Sequence, residues 1–199
     1  MARPSVAAER RVQIAEATIR CIGAHGYAGT TLDLVAEEAG MARGHVRHFA
    51  GNRDEMLVAA AWYLYFSDFP SGDDDAAPTG GSFLPAEVHD VETALDYLFG
   101  DFGTPGLENT AALAFVEAGR MNPDIHRIVA KAYESMHDEV AAVLAAASPS
   151  VDAAECARVA AGVVSIALGN VFMNDIEVSP ARNAAARATA ELLISTLGG

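Results

Sequence analysis

The chain has 199 residues, 51% of them hydrophobic and 20% charged, a balance that excludes a disordered protein and is long enough for a sizeable core. A net charge of −14 excludes indiscriminate coating of nucleic acid, but not the presentation of one end to phosphates. Residues 1–54 hold seven basic and six acidic side chains, whereas the other 145 hold six basic and 21 acidic ones.

From Ala8, the apolar positions Val12, Ala15, Ile19 and Ile22 recur at three- and four-residue steps, which predicts an amphipathic helix that His25-Gly26 stops. Thr30 followed by Asp33 suggests a capping box opening a short helix over 32–39. Gly40 then permits a sharp turn into a second short helix over 42–49. Two short helices joined in this way behind a longer one make a helix-turn-helix. Asn52 and Glu55 cap a fourth helix that runs to about Phe66. The Gly-, Pro- and Asp-rich stretch over 70–86 has no periodicity and reads as a flexible loop. Further helices are expected over 87–100, 107–121, 123–147, 152–173 and 180–197.

The fold expected is therefore all-α, with about nine helices. An N-terminal helix-turn-helix domain over 1–51 precedes a larger helical domain over 52–199. Arg3, Glu9, Arg10 and Arg11 interrupt the N-terminus before any apolar core, so no signal peptide is expected and a cytoplasmic location is. The uncharged stretch 159–174 is shorter than the roughly 20 residues of a membrane span and reads as a buried helix, so no membrane partner is expected. Cys21 and Cys156 sit in apolar helical stretches and read as reduced core thiols.

The run Gly26-Tyr27, Thr30-Thr31, Val35-Ala36, Ala39 to Phe49 and Gly51 to Leu57 resembles the DNA-binding signature of the TetR family. Asn122-Pro123-Asp124-Ile125-His126, opening a long helix, is similar to betaine-type regulators within it. The resemblance implies a homodimeric repressor of a palindromic operator, released by an unknown small-molecule effector, with 52–199 as the regulatory domain that binds ligand and dimerises. Three positions depart from the family's commonest pattern. Ala42 cannot cap the recognition helix, Arg47 replaces the usual phosphate-binding tyrosine, and Ala50 stands at a commonly aromatic position, where Phe49 is expected to supply the missing packing.

Physical chemistry points to the same end of the chain, because a recognition helix needs small residues for approach, donors for base edges and cations for phosphates. Gly44 allows approach, Arg43 and His45 suit bases, and Arg47 and His48 suit bases or backbone. Thr31 and Arg53, each near a helix start, suit phosphate. Ligand contacts are expected among Trp62, Phe66, Tyr97, Phe115, Tyr133, Met136 and Phe172, a set that also fits a plain core. Small residues at Ala161, Ser165, Gly169, Ala184 and Ala188, with Leu192, allow close helix approach, and the resemblance implies that the last two helices pair with their twins there, an intramolecular core being the alternative. No cofactor is expected. An enzyme or metal protein is disfavoured: there is no His-Glu-x-x-His motif, no phosphate-cradling glycine loop and no cysteine pair at ligand spacing. A regulator without effector, controlled by a partner protein or by abundance, fits the same residues.

Overall fold

A computed structural model describes residues 6–69 and 82–198. These residues form nine α-helices and one terminal 3₁₀ turn, with no strand among them. In chain order they are α1 (Val6–Gly29), α2 (Leu32–Glu38), α3 (Arg43–Ala50), α4 (Arg53–Phe66), α5 (Val91–Phe99), α6 (Leu107–Ala118), α7 (Pro123–Ala147), α8 (Ala153–Ile176) and α9 (Pro180–Ser195). By internal packing the chain divides into two units, one of Met1–Gly81 with Gly106–Lys131 and the other of Ser82–Pro105 with Ala132–Gly199.

In the first unit α1 is the central element, packing on α6, α4 and α2. The helical path breaks at Gly26, whose φ of 74° lies in the left-handed region that glycine enters without a Cβ penalty. The capping near this break differs from the expectation by one residue. Thr30 is fully buried and its hydroxyl donates to the Gly26 carbonyl (2.9 Å), so Thr31 becomes the N-cap and accepts from the Leu34 amide (3.3 Å). Asp33, released from a capping role, faces Arg43 instead. The α2–α3 turn uses Gly40 at φ 62°, with the Met41 amide donating to the Ala36 carbonyl (2.9 Å).

Ile14, Ala17, Cys21, Val35, Ala36, Val46 and Met56 close the core of this helix-turn-helix. Gln13 donates to the Ala39 carbonyl (2.7 Å) and Arg20 pairs with Glu38 (2.6 Å), so α1 holds α2 by polar contacts as well. Where α1 crosses the start of α6, a Cβ on Gly23 would lie 2.9 Å from Leu107 Cβ and 3.0 Å from its carbonyl oxygen, so this crossing requires a residue without a side chain.

The second unit is built on α8, α9, α5 and the later part of α7. Its core includes Leu95, Leu98, Met136, Val140, Leu144, Val159, Val163 and Ala167. The loop expected over 70–86 is corrected on its C-terminal side, residues 70–81 lying outside the described residues. Glu139 accepts from the Ser82 hydroxyl (2.6 Å) and from the Phe83 and Leu84 amides (2.8 Å each), while Leu84 is buried, so this stretch is pinned. The helix expected from residue 87 starts at Val91, because the Asp90 carboxylate and the Thr93 hydroxyl form a reciprocal cap there.

Helix α8 is long and apolar enough to cross a membrane by length and composition. One of its faces supplies Val159, Ala160, Val163, Val164 and Ala167 to the core, the buried role expected of residues 159–174. Both cysteines are buried and free.

Candidate functional site

Helix α3 is anchored by Val46, with Phe49 and Ala50 partly buried against the same core, and is open on its other side. Val46 is fully buried in the helix-turn-helix core, whereas Arg43, Gly44, His45, Arg47 and His48 are exposed. Two cations and two imidazoles, with Gly44 among them, thus face solvent from a short, firmly seated helix. A Cβ on Gly44 would meet nothing within 4 Å, so its bareness answers no need inside the chain. Ala42 occupies the N-cap without a side-chain hydrogen bond, as its methyl dictates. Arg43 lies 3.1 Å from Asp33, but both side chains are more than half exposed, so water competes with the pair and leaves the guanidinium available. His48 packs edge-on against Phe49, with ring centroids 4.8 Å apart.

The two residues expected to touch phosphate from helix starts have different surroundings. Thr31 is exposed and its hydroxyl also caps α2. The Arg53 guanidinium is turned inward: Nε donates to the Thr30 carbonyl (2.8 Å), one terminal nitrogen donates to the Tyr27 carbonyl (2.6 Å), and the group lies 5.5 Å from the Tyr27 ring centre. It therefore fastens the start of α4 to the end of α1. Asn52 caps α4 through the Asp54 and Glu55 amides, and Glu55 returns a bond to the Asn52 amide, which is the expected capping box.

The seven residues expected at a ligand site fall into different environments. In the first unit Trp62 and Phe66 pack with tilted rings (5.1 Å), and the fully buried Phe115 meets Tyr27 edge-on (6.1 Å). In the second, Met136 is a core residue and Tyr133 and Tyr97 pack around that core. Tyr97 also joins Phe83 and Phe102 in an aromatic cluster with centroids 5.2–6.0 Å apart. Burial, and then the charges of Asp101 and Glu139, push the Tyr97 phenol above its ordinary pKa. Tyr97 borders an open depression of about 360 Å3 with Glu87, Asp96 and Asp101. Phe172 is 54% exposed, on the surface of α8 rather than in the core.

That surface continues the stripe expected for dimerisation. Ala161, Ser165 and Gly169 on α8 and Ala184, Ala188 and Leu192 on α9 are all exposed, so an intramolecular core role does not account for them. Phe172, Met173, Ile176 and Val178 extend the exposed apolar surface. Met173 and Ile176 lie outside the expected set because they are not small residues, although their three-residue spacing is visible in the sequence.

A polar lock in the second unit was not foreseen. Asn174, only 2% exposed, donates to the Gly103 carbonyl and to the Asn183 side chain (2.9 Å each) and accepts from Arg182 (3.0 Å). Single asparagines in a helix give no sequence signal for contacts 71 residues away. Among the described residues, no group of three or more His, Cys, Asp or Glu side chains is placed to hold a metal ion, so His126, His137 and Asp138 do not gather into such a site.

Residues 14–60 match the model of the bacterial regulatory proteins of the tetR family. Over 50 residues, a quarter of this chain, the sequence is 44% identical to the HTH-type transcriptional regulator BetI of Burkholderia thailandensis. The match spans 26% of that relative's length. The fold is shared with a TetR transcription regulator from Haloarcula marismortui, at a TM-score of 0.69 and 22% identity over 94% of this chain and 97% of that one. It is shared also with a transcriptional regulator from Saccharomonospora viridis solved in complex with choline, at a TM-score of 0.66 and 16% identity over 94% and 96% of the two chains.

Proposed function

We propose that this chain is a member of the TetR family of bacterial regulatory proteins, whose model residues 14–60 match, and that it is a cytoplasmic, ligand-responsive repressor that binds a palindromic operator as a homodimer. The observation that carries the reading is α3: one buried anchor, Val46, and an otherwise exposed surface of Arg43, Gly44, His45, Arg47 and His48. In this reading the arginines and His45 read base edges in the major groove, Gly44 lets the helix approach, and Arg47 or His48 adds phosphate contacts. The acidic remainder of the chain repels DNA elsewhere and so confines binding to the head.

Dimerisation through α8 and α9 covers the exposed apolar stripe and sets two copies of α3 about 34–36 Å apart, one helical turn of DNA. Helix α4 is the element suited to couple effector and DNA. It starts at the Asn52 cap and the Arg53 clamp beside the helix-turn-helix and carries Trp62 and Phe66 at its other end. A ligand that shifts this helix changes the pose of α3, and linkage then requires operator DNA to weaken the ligand by the same factor. Support for a small-molecule effector comes from the choline complex of the S. viridis regulator, which shares the fold.

The test begins with an operator selected from random duplexes. Choline, then a panel of metabolites, is titrated into free protein and into the operator complex by calorimetry. A responsive repressor yields a compound that binds free protein more tightly and releases DNA. Equal affinity in both titrations, for a compound shown to bind the C-terminal helices, replaces this function with regulation by a partner or by abundance.

A further inference from the structure

A cavity of about 150 Å3 lies among α1, α3 and α4, against the end of the recognition helix. Three of its lining residues are alanines, Ala15, Ala50 and Ala59, one from each helix, and their short side chains leave the space that Phe49 and Met56 only border. The packing that Phe49 was expected to supply beside Ala50 is therefore incomplete. Protein interiors are close-packed, and this largely apolar recess, open to solvent on one side, has room for a benzene-sized molecule.

One feature of the lining narrows the occupant further. Arg11 is the only ionisable residue of the described lining, it is exposed, and it makes no ion pair among the described residues. Its neighbours three and four positions away on α1 are Ala7, Ala8, Ile14 and Ala15, none of which can neutralise it. In a chain with 27 acidic and 13 basic side chains, an apolar cavity bordered by a lone cation is suited to an anion with a compact apolar body.

We infer that this cavity is a binding site for small carboxylates of benzoate size, with the ring against Phe49, Met56 and the three alanines and the carboxylate on Arg11. The site lies in the DNA-binding head and does not depend on an effector site among the C-terminal helices. Because Phe49 and Ala50 are the last two residues of α3, an occupant wedged between them and α1 acts on the recognition helix directly.

The experiment uses the full chain carrying methyl-labelled methionine, in which Met56 is the methionine that lines the cavity. Benzoate should shift the Met56 methyl resonance saturably while those of Met121 and Met136 stay in place. Arg11→Gln, a change at an exposed position, should weaken that response about tenfold through loss of a charge-assisted hydrogen bond. Ala59→Leu, which fills the space, should abolish it, and benzylammonium should produce none. No Met56 shift with benzoate at tens of millimolar, an unchanged response in Arg11→Gln or Ala59→Leu, or an equal response to benzylammonium would each overturn the assignment. All these readings are made without DNA, so they stand or fall separately from the repressor function.

Discussion

The solvent-facing sides of α3 and of the α8–α9 pair are exposed for opposite physical reasons. On α3 the open residues are arginine, histidine and glycine around a single buried valine, a surface that water solvates well and that a polyanion can displace water from. Along the proposed stripe on α8 and α9 the open residues are alanines with Ser165, Gly169 and the large apolar Phe172, Ile176 and Leu192, the last at 70% exposure. Water solvates that surface poorly, and contiguous apolar area of this kind is relieved by a partner. A charged open face and an apolar open face therefore call for different partners, and a substitution in one should leave the other's behaviour intact except where DNA binding needs the dimer.

The strongest way to break this contrast is Gly169→Trp. Gly169 is exposed and a Cβ there meets nothing within 4 Å, so the position is open within one chain, while a closely approaching second copy would be pushed away. Self-association should weaken at least ~100-fold, equivalent to about 2.7 kcal/mol. Sedimentation should then report a folded monomer with unchanged helicity, and specific operator binding should be lost with it. A variant that remains dimeric at micromolar concentration removes α8 from the interface.

Substitution on the charged face should act on DNA alone. Arg43→Ala and Arg47→Ala should each cost about 1–3 kcal/mol of specific affinity if the side chains reach base edges. The fold should be indifferent to either change, since the Arg43–Asp33 pair is exposed. Fluorescence anisotropy against selected and scrambled duplexes separates loss of specificity from loss of charge. An unchanged ratio in the double variant removes α3 from recognition.

A smaller effect sharpens the division of labour inside the head. Arg53 was expected at phosphate, yet its guanidinium is occupied by the Thr30 and Tyr27 carbonyls. If that clamp is its main role, Arg53→Ala should lower unfolding stability by roughly 1–2 kcal/mol, within the range for lost charged hydrogen bonds. The slope of log affinity against log salt should then stay as it was, and Arg53→Lys should not restore stability, because one ammonium cannot reproduce the forked contacts. A slope reduced by about one, with stability unchanged, would instead identify a phosphate contact.

Helices with strong periodicity and local caps were legible before the fold was known. The helix-turn-helix, the Asn52–Glu55 cap and the start of α7 at Pro123, where Asn122 accepts from the Asp124 amide, depend on residues within four positions of one another. The exposed basic side of α3 was legible for the same reason, since a short helix with one apolar anchor has little choice of which face to bury. Thr30 and Thr31 were misassigned by one position because both can cap, and the choice between them depends on the path out of Gly26.

Only the tertiary structure decided the rest. The inward turn of Arg53, the pinning of Ser82 to Leu84 by Glu139 and the close approach at Gly23 each join residues more than 20 positions apart. No local pattern encodes such meetings. The cavity beside Ala50 is of the same kind, because a void is a property of three helices packed together and the sequence of any one of them shows only an alanine. Local propensity and periodicity determined which segments are helical and which faces are polar, whereas packing determined which polar groups are consumed inside the fold and which remain free to meet a partner.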